Sequence, residues 1–392
     1  MAIAAAAALG PSLGGLLSSY ASWRWCFLIN LPCGVAAFAT LLLYLKVHDP
    51  KTEIWRGVRA IDWLGTALLT GSVVLLLVGL QWGGVVYPWT SRNVAGLIAL
   101  GLVAFSVFLL VEWKIAERPL IPLHLFRRPS GAILLIVASC HGFSYFAVGY
   151  FLPVYFQEAL GATPVESATW FLPYALVLSV LAIVTGIFIS KTGWYTELIT
   201  FGFGIATLAV GLFISFPSER SWACIIIYQL LVALGLGPSY EATLVGVQSA
   251  WPAADLAAVT GAFGLTWNLS AAVSLVLGGV IFMNRMAVRV PALLEAGIDS
   301  SVAERLTKGS TLSLGGAQEL SSSQQRVLGQ VVTKSLSEMW MFYAAILLVG
   351  FVCSFWIGRA ALSSKKEVHR TGLEPVKLDD LEHQRSTAGS RK

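Results

Sequence analysis

Three polar side chains interrupt long apolar runs of the sequence, and each is of a type that could carry a proton or contact a ligand. His141 has Ser144 and Tyr145 on the same helical face, and Glu241 and Asn268 lie in later apolar runs. Because imidazole titrates near neutral pH, His141 could take part in proton coupling. The alternative is a neutral histidine that hydrogen-bonds across helices. Glu241 is the best carboxylate for coupling, or it simply reaches a membrane interface.

Asn268 shares a helical face with Gly261 and Gly264, which fits either helix packing or a substrate contact. Aromatic residues are concentrated in the same part of the chain, where they could line a pocket for flat apolar compounds. The alternative for Tyr145 and Trp267 is plain packing, and other aromatics fit the belts at a bilayer interface. The candidate pocket aromatics are Phe143, Tyr145, Phe146, Trp170, Phe171, Tyr174 and Trp267.

No catalytic constellation accompanies these residues. The five histidines are scattered without the spacing of metal ligands, and the sequence contains neither a phosphate-binding Gly-Lys-Ser/Thr loop nor a Gly-x-Ser-x-Gly motif. We therefore predict that the protein is not an enzyme and needs no cofactor or metal. The five cysteines lie inside apolar stretches and suggest packing rather than a disulfide framework.

The apolar stretches themselves predict an all-α polytopic membrane protein. Apolar residues make up 56% of the 392-residue chain and charged residues 12%, and the mean hydropathy is +0.75. Apolar segments of about 18–25 residues recur along the chain, the length that a helix needs to cross a bilayer. We predict ten spans: 2–18, 26–45, 63–82, 94–112, 131–156, 168–189, 197–215, 223–246, 258–282 and 339–358.

The positions of the basic residues predict the topology. Most of them lie in loops on one side of the membrane, which accounts for the net charge of +5 without a nucleic-acid partner. This bias predicts that both termini are cytoplasmic. The basic residues in short loops on the predicted cytoplasmic side are Lys46, Lys51, Arg56, Arg59, Lys114, Arg118, Arg127, Arg128 and Lys191, against Arg24, Arg92 and Arg220 outside.

Four regions follow from this topology. Residues 1–45 form two spans, and residues 46–130 form a linker helix pair with flanking cytoplasmic loops. Residues 131–358 form a six-span bundle whose extracellular loop, 284–338, carries some amphipathic helix near 324–336. Residues 359–392 are charged and poor in aromatics, so we predict a disordered cytoplasmic tail.

The first predicted span carries a small residue at every fourth position from Ala2 to Ser18, a pattern that allows close helix approach. Within it, Gly10-Pro11-Ser-Leu-Gly14-Gly15 resembles the end of the antiporter motif in the fifth span of facilitator drug:proton antiporters. The next stretch, Ser22 to Gly34, is similar to the start of the sixth span in the fourteen-span branch of fungal multidrug and toxin exporters. Further matches in the same order are Asp62-Trp-Leu-Gly65, Leu80 to Gly84, Tyr87-Pro88-Trp89, Tyr150 to Gln157, Gly186 to Gly193, and Tyr228-Gln229 before Gly235-Leu-Gly237.

This resemblance to the major facilitator superfamily implies a partial facilitator fold that lacks the first four spans, and a chain that begins inside a membrane helix. It implies packing roles for the antiporter-motif residues Gly10, Pro11, Gly14 and Gly15. Asn30 and Gln229 belong to the matching strings, and each is either a substrate contact or a structural hydrogen-bonding residue. Lys191 and Gly193 resemble a degenerate signature loop with capping and gating contacts, although Lys191 could equally be a positive-inside anchor.

The resemblance predicts a secondary transporter that exports small apolar or amphipathic compounds, either drugs or self-made metabolites, against proton entry. The expected partners are the substrate, protons and the lipid bilayer, without nucleic acid. The expected location is the plasma membrane, with vacuolar or vesicular membranes as alternatives. A truncated, non-transporting membrane protein is the second hypothesis, and uptake of an iron chelate or another nutrient is the third.

Overall fold

The computed structural model describes residues 10, 13–18, 20–44, 54–59, 61–116, 119–120, 129–252, 255–300, 302–303 and 321–358. Within these ranges nine helical segments are long and apolar enough to cross a membrane. They agree with nine of the ten predicted spans. The remaining one, 2–18, lies mostly outside the described residues, although residues 13–18 are helical.

The helices are named here in chain order. Helices α1 (Trp25–Leu28) and α2 (Asn30–Tyr44) are separated by a single residue. They are followed by α3 (Ile54–Arg59), α4 (Trp63–Trp82) and α5 (Arg92–Lys114). The next is α6 (Pro129–Val154), which runs on through a π-helical turn at Tyr155–Ala159. The remaining helices are α7 (Pro164–Thr192), α8 (Tyr195–Phe213), α9 (Trp222–Ser249), α10 (Leu256–Val288), α11 (Val290–Glu295) and α12 (Ser322–Ser354).

Helices α6 to α10 and α12 pack into one bundle around a continuous apolar core. Within it α6 contacts α9, α10 and α12, while α8 packs against α9 and α12. Gly235 lets α8 and α9 cross closely because it has no side chain. A Cβ atom added there would lie 2.5 Å from the backbone nitrogen of Ala206. Small residues at such crossings let membrane helices approach through their backbones.

The linker pair α4–α5 forms a hairpin that packs against α10. Asp62 caps α4 by accepting from the Gly65 N–H at 2.8 Å, and Ser91 caps α5 through the Val94 N–H. A Cβ atom on Gly101 would lie 2.7 Å from Leu76, so the two helices of the hairpin are in close contact. The α4–α5 hairpin is therefore a separate unit that packs against the side of the bundle.

The last helix differs most from its predicted span. It begins at Ser322 rather than at 339, because Ser321 and Gln324 form a reciprocal capping box there. Its added turns bury an apolar stripe at Leu328, Val332 and Leu336, whose spacing is helical. The amphipathic helix predicted near 324–336 is therefore present, but it is continuous with the last span rather than a separate segment within a loop.

The neighbouring α10 likewise continues past the predicted end at 282 to Val288. At 33 residues each, α10 and α12 are about 50 Å long, against about 30 Å of hydrocarbon. The projecting ends are joined by Glu338, whose carboxylate pairs with Arg289 and, at 2.6 Å, with Arg285. These ion pairs connect the projecting turns of α10 and α12.

Candidate functional site

His141 is buried at the centre of the bundle, about midway along α6, with 1% of its surface exposed. Its Nε2 lies 2.9 Å from the carbonyl oxygen of Leu236 on α9, and its Nδ1 lies 3.2 Å from the indole Nε1 of Trp267 on α10. An indole nitrogen can only donate and a carbonyl can only accept. The hydrogen-bond network therefore assigns His141 as the neutral tautomer with its proton on Nε2.

Aromatic rings surround this histidine. We define the aromatic cluster as His141, Tyr145, Phe146, Tyr240 and Trp267. The ring of Trp267 lies 4.7 Å from Phe146, 5.1 Å from Tyr240 and 5.4 Å from Tyr145, centroid to centroid. These separations are typical of offset and edge-to-face aromatic pairs. The cluster thus joins α6, α9 and α10 through ring contacts and two histidine hydrogen bonds.

Two features of α6 bring Trp267 into place. A Cβ atom on Gly142 would lie only 2.7 Å from the backbone oxygen of Trp267, so the absence of a side chain lets α10 lie directly against α6. Two turns beyond Trp267 on α10, the Ser274 hydroxyl donates to the backbone oxygen of Phe143 on α6 at 2.6 Å. The Tyr343 hydroxyl of α12 donates to the backbone oxygen of Ser274 at 2.7 Å, which extends the connection to a third helix.

Two polar candidates lie beside the cluster rather than in it. Asn268 directly follows Trp267, is exposed, and donates from Nδ2 to the backbone oxygen of Gly264 at 2.8 Å. Glu241 directly follows Tyr240 and is half-buried. Because consecutive helical residues point about 100° apart, each of these side chains lies beside the ring-bearing face of its own helix. The apolar aromatic cluster is therefore flanked by a polar group on α9 and another on α10.

Gln229 and Tyr174 lie deep between α7 and α9. Gln229 is fully buried, and its Nε2 donates to the backbone oxygens of Trp170 and Ile225, each at 2.9 Å. Within the described ranges its Oε1 has no hydrogen-bond partner, and neither does the hydroxyl of Tyr174. The ring of Tyr174 packs against Phe171 at a centroid distance of 5.0 Å. The structure thus gives Gln229 a hydrogen-bonding role between helices and buries Tyr174 between them.

The remaining site candidates lie away from the cluster. Asn30 is exposed at the start of α2, and its Nδ2 donates to the backbone oxygen of Cys26 at 3.3 Å. Gly15 packs against the first turn of α7, where an added Cβ would lie 3.2 Å from the backbone oxygen of Pro164, whereas Gly10 and Gly14 have open space. Pro11 lies outside the described residues. The functional roles assigned to these positions stay predictions.

Lys191 and Gly193 end α7. Gly193 has a φ of +73°, which glycine adopts without strain, and its N–H donates to the Ile189 backbone oxygen at 2.8 Å. Lys191 is exposed in the last helical turn, where a cation is favoured by the helix dipole. Helix capping therefore accounts for Gly193, while a gating role for Lys191 stays a prediction.

Tyr240 is the cluster residue that the sequence did not single out. Its ring lies 5.8 Å from His141 and 5.1 Å from Trp267. The sequence feature that could have indicated Tyr240 is its position directly before Glu241, in the turn that follows Pro238. Among the residues that the structure describes, no group of histidine, cysteine and acidic side chains could hold a metal ion.

Comparison with known proteins identifies the family of this chain. Residues 1–275 match the family model for the Major Facilitator Superfamily. The chain belongs to this superfamily. As a facilitator with several membrane-spanning helices, it is a multi-pass membrane protein, and its superfamily is one of transporters.

Its relatives include named fungal transporters. The chain is 37% identical over 374 residues to the Efflux pump dotC of Dothistroma septosporum, covering 95% of this chain and 64% of that protein. It is 35% identical to the MFS-type transporter ppz2 of Metarhizium majus, covering 94% and 64%. It is 31% identical to the acurin A biosynthesis cluster MFS-type transporter of Aspergillus aculeatus, covering 90% and 64%. This facilitator chain thus spans about 64% of the length of each of these three relatives.

Proposed function

We propose that the protein is a secondary active exporter of small apolar or amphipathic compounds, such as drugs or fungal secondary metabolites, and that it works by proton antiport. The observation that carries the proposal is the aromatic cluster around His141, which joins three helices of the bundle. The names of its relatives, which include efflux pumps and a transporter of a biosynthesis cluster, support the same direction of transport.

The chemistry of the cluster favours flat, largely apolar substrates. Tyr145, Tyr240 and Trp267 offer ring faces and edges on which an aromatic compound can stack. The neighbouring amide of Asn268 and carboxylate of Glu241 could orient a polar substituent. Pockets of this composition, apolar with few polar groups, bind small organic molecules.

The exposed amide of Asn268 supports the view that the aromatic cluster borders the transport face. Asn268 lies near the middle of α10, where contact with acyl chains would be unfavourable for a polar group. The face should therefore meet other protein helices or a water-filled path. Alternating access in a facilitator places its substrate site at such an interface between bundles.

For proton coupling we propose Glu241 as the group that exchanges protons and His141 as a positioning residue. The Nδ1 of His141 accepts from Trp267, so protonation there would require that hydrogen bond to break. The carboxylate of Glu241 is half-buried and directly follows Tyr240 of the aromatic cluster, so it lies beside the proposed transport face.

We further propose that both termini are cytoplasmic and that the protein resides in the plasma membrane or in a vacuolar or vesicular membrane. The basic residues of the short loops support the orientation. Epitope tags at either end, probed before and after permeabilisation of the cell, would test it.

The transport proposal is tested by efflux of a fluorescent planar cation from yeast that lacks its own drug pumps. Cells that express the 392-residue chain, or an in-frame longer form if the gene encodes one, should retain less dye than cells with an empty vector. A protonophore should abolish the difference. Equal retention by cells that express either form and by control cells would instead favour a non-transporting membrane protein.

A further inference from the structure

A groove runs along the outer surface of the bundle between α8 and α12, on helices that contribute no ring to the aromatic cluster. It has a volume of about 870 Å³ and an almost entirely apolar lining. Its floor lies at Gly204, where an added Cβ would be 3.1 Å from the ring of Phe351. The exposed side chains of Phe201, Leu208 and Phe355 form its rims.

Most polar residues of the lining lie at one end of the groove. Thr196, Glu197 and Thr200 lie in the first turns of α8, next to Ser354 at the end of α12. Beyond them the lining on α8 is largely aliphatic and aromatic, apart from Thr207, and the whole stretch from Thr196 to Leu208 is about 18 Å long at 1.5 Å per helical residue. The polar end coincides with the end of α8 that lies next to Lys191 in sequence, which the charge distribution predicts to be cytoplasmic.

One atom at the polar end has no hydrogen-bond partner. The hydroxyl oxygen of Thr196 is buried, and within the described ranges it neither donates nor accepts a hydrogen bond. A buried hydroxyl without a partner is unfavourable, so such atoms commonly bind water or a ligand. The polar end of the groove therefore contains one unsatisfied hydroxyl just below its surface, and the apolar part of the lining lies beyond it.

We propose that this groove binds a 3-hydroxysterol of the surrounding membrane, with its hydroxyl at Thr196 and its ring system against Gly204 and Phe201. A sterol combines one small polar group with a rigid apolar body of about the length of the groove. This site does not depend on the proposed transport function, because it lies on α8 and α12.

The proposal is tested on the full chain in phosphatidylcholine nanodiscs with a photoreactive 3-hydroxysterol that carries a diazirine on its ring system. Peptides of α8 and α12 should carry the label, and excess unlabelled sterol should remove it. Gly204→Leu should abolish the label by filling the floor of the groove. Gly211→Leu is the matched control, since it lies on the same helix with open space around an added Cβ, and it should label like the wild type.

Thr196→Val tests the polar end separately. In sterol-free nanodiscs this variant should melt at or above the temperature of the wild type, because it removes an unpartnered buried hydroxyl. Added sterol should raise the melting temperature of the wild type more than that of Thr196→Val, because a ligand stabilises the state that it binds. Labelling that is spread evenly over other helices, that persists in Gly204→Leu, or that is stronger with a photoreactive phosphatidylcholine would overturn the proposal.

Discussion

At the scale of single residues, the hydrogen bond from Trp267 to His141 determines the chemistry of the candidate site. It occupies the basic nitrogen of the imidazole, while the other nitrogen donates to the carbonyl of Leu236. The same indole provides a ring face to Tyr145, Phe146 and Tyr240. One side chain therefore both holds the histidine neutral and forms the centre of the proposed binding surface.

Trp267→Phe should weaken binding of a planar dye to the purified protein and lower its stability by about 1–3 kcal/mol, since the buried Nδ1 of His141 loses its donor. Trp340→Phe is the matched control: Trp340 is equally large and is 1% exposed, but it lies outside the aromatic cluster. It should lower stability and leave dye affinity unchanged. Dye fluorescence titrations and thermal melts measure the two effects. Equal losses of affinity in both variants would argue against a binding role for Trp267.

Glu241→Gln should leave dye binding largely intact and remove the dependence of transport on the pH gradient, because an amide cannot carry a proton between the two sides. Transport by His141→Asn should keep its gradient dependence if the histidine only positions the rings. Dye flux at a series of imposed gradients compares the two variants. The assignment would be reversed if His141→Asn lost the gradient dependence and Glu241→Gln kept it.

At the scale of helices, contact between α6 and α10 depends on a glycine. The backbone oxygen of Trp267 occupies the space that a side chain at position 142 would need. At Gly149 on the same helix an added Cβ would meet nothing within 4 Å. The two glycines therefore differ in role although they are of the same type and lie on one helix.

Gly142→Ala should destabilise the protein by about 1–3 kcal/mol, because the added methyl group forces α10 away from α6. Gly149→Ala should be neutral or slightly stabilising, since alanine favours a helix over glycine. Unfolding in mixed micelles of increasing denaturing detergent measures both. A Gly142→Ala variant as stable as Gly149→Ala would contradict the close packing.

The projecting ends of α10 and α12 provide a second prediction at this scale. Glu338→Gln should weaken the link to Arg285 and Arg289, so amide hydrogen exchange should rise in 284–295 and 322–338. Glu295→Gln, an exposed substitution on α11, is the control and should leave exchange unchanged. The stability change should be within about 1 kcal/mol, because the ion pairs are partly exposed.

The sequence predicted most of the helices because an apolar run of bilayer length is a local property. The span 63–82 matches α4 at both ends, where Asp62 supplies a local cap. The start of α12 was missed because polar residues surround its buried stripe, and only contact with neighbouring helices shows that Leu328 and Leu336 are core residues. His141 could be selected as a buried polar group, but its bonds to Leu236 and Trp267 join positions about 95 and 126 residues away, which one sequence cannot reveal.

At the scale of the whole molecule, the bundle of α6 to α10 and α12 has two different surfaces. One presents Asn268 and Glu241 beside the aromatic cluster, and we propose that it lines the transport path. Another, the α8–α12 groove, is largely apolar apart from one end, and we propose that it faces lipid. Because the proposed substrate site and sterol site lie on separate helices, sterol could change the stability of the protein without competing with the substrate for its site.

We propose that a proton gradient drives substrate across the membrane through this facilitator. The most direct measurement is dye movement in proteoliposomes that contain the purified chain, or an in-frame longer form if the gene encodes one, as their only protein. We predict that a gradient imposed by a pH jump drives dye accumulation on the acidic side, and that the rate falls in Trp267→Phe. Dye movement at the same rate in protein-free liposomes, or with no gradient imposed, would contradict the account.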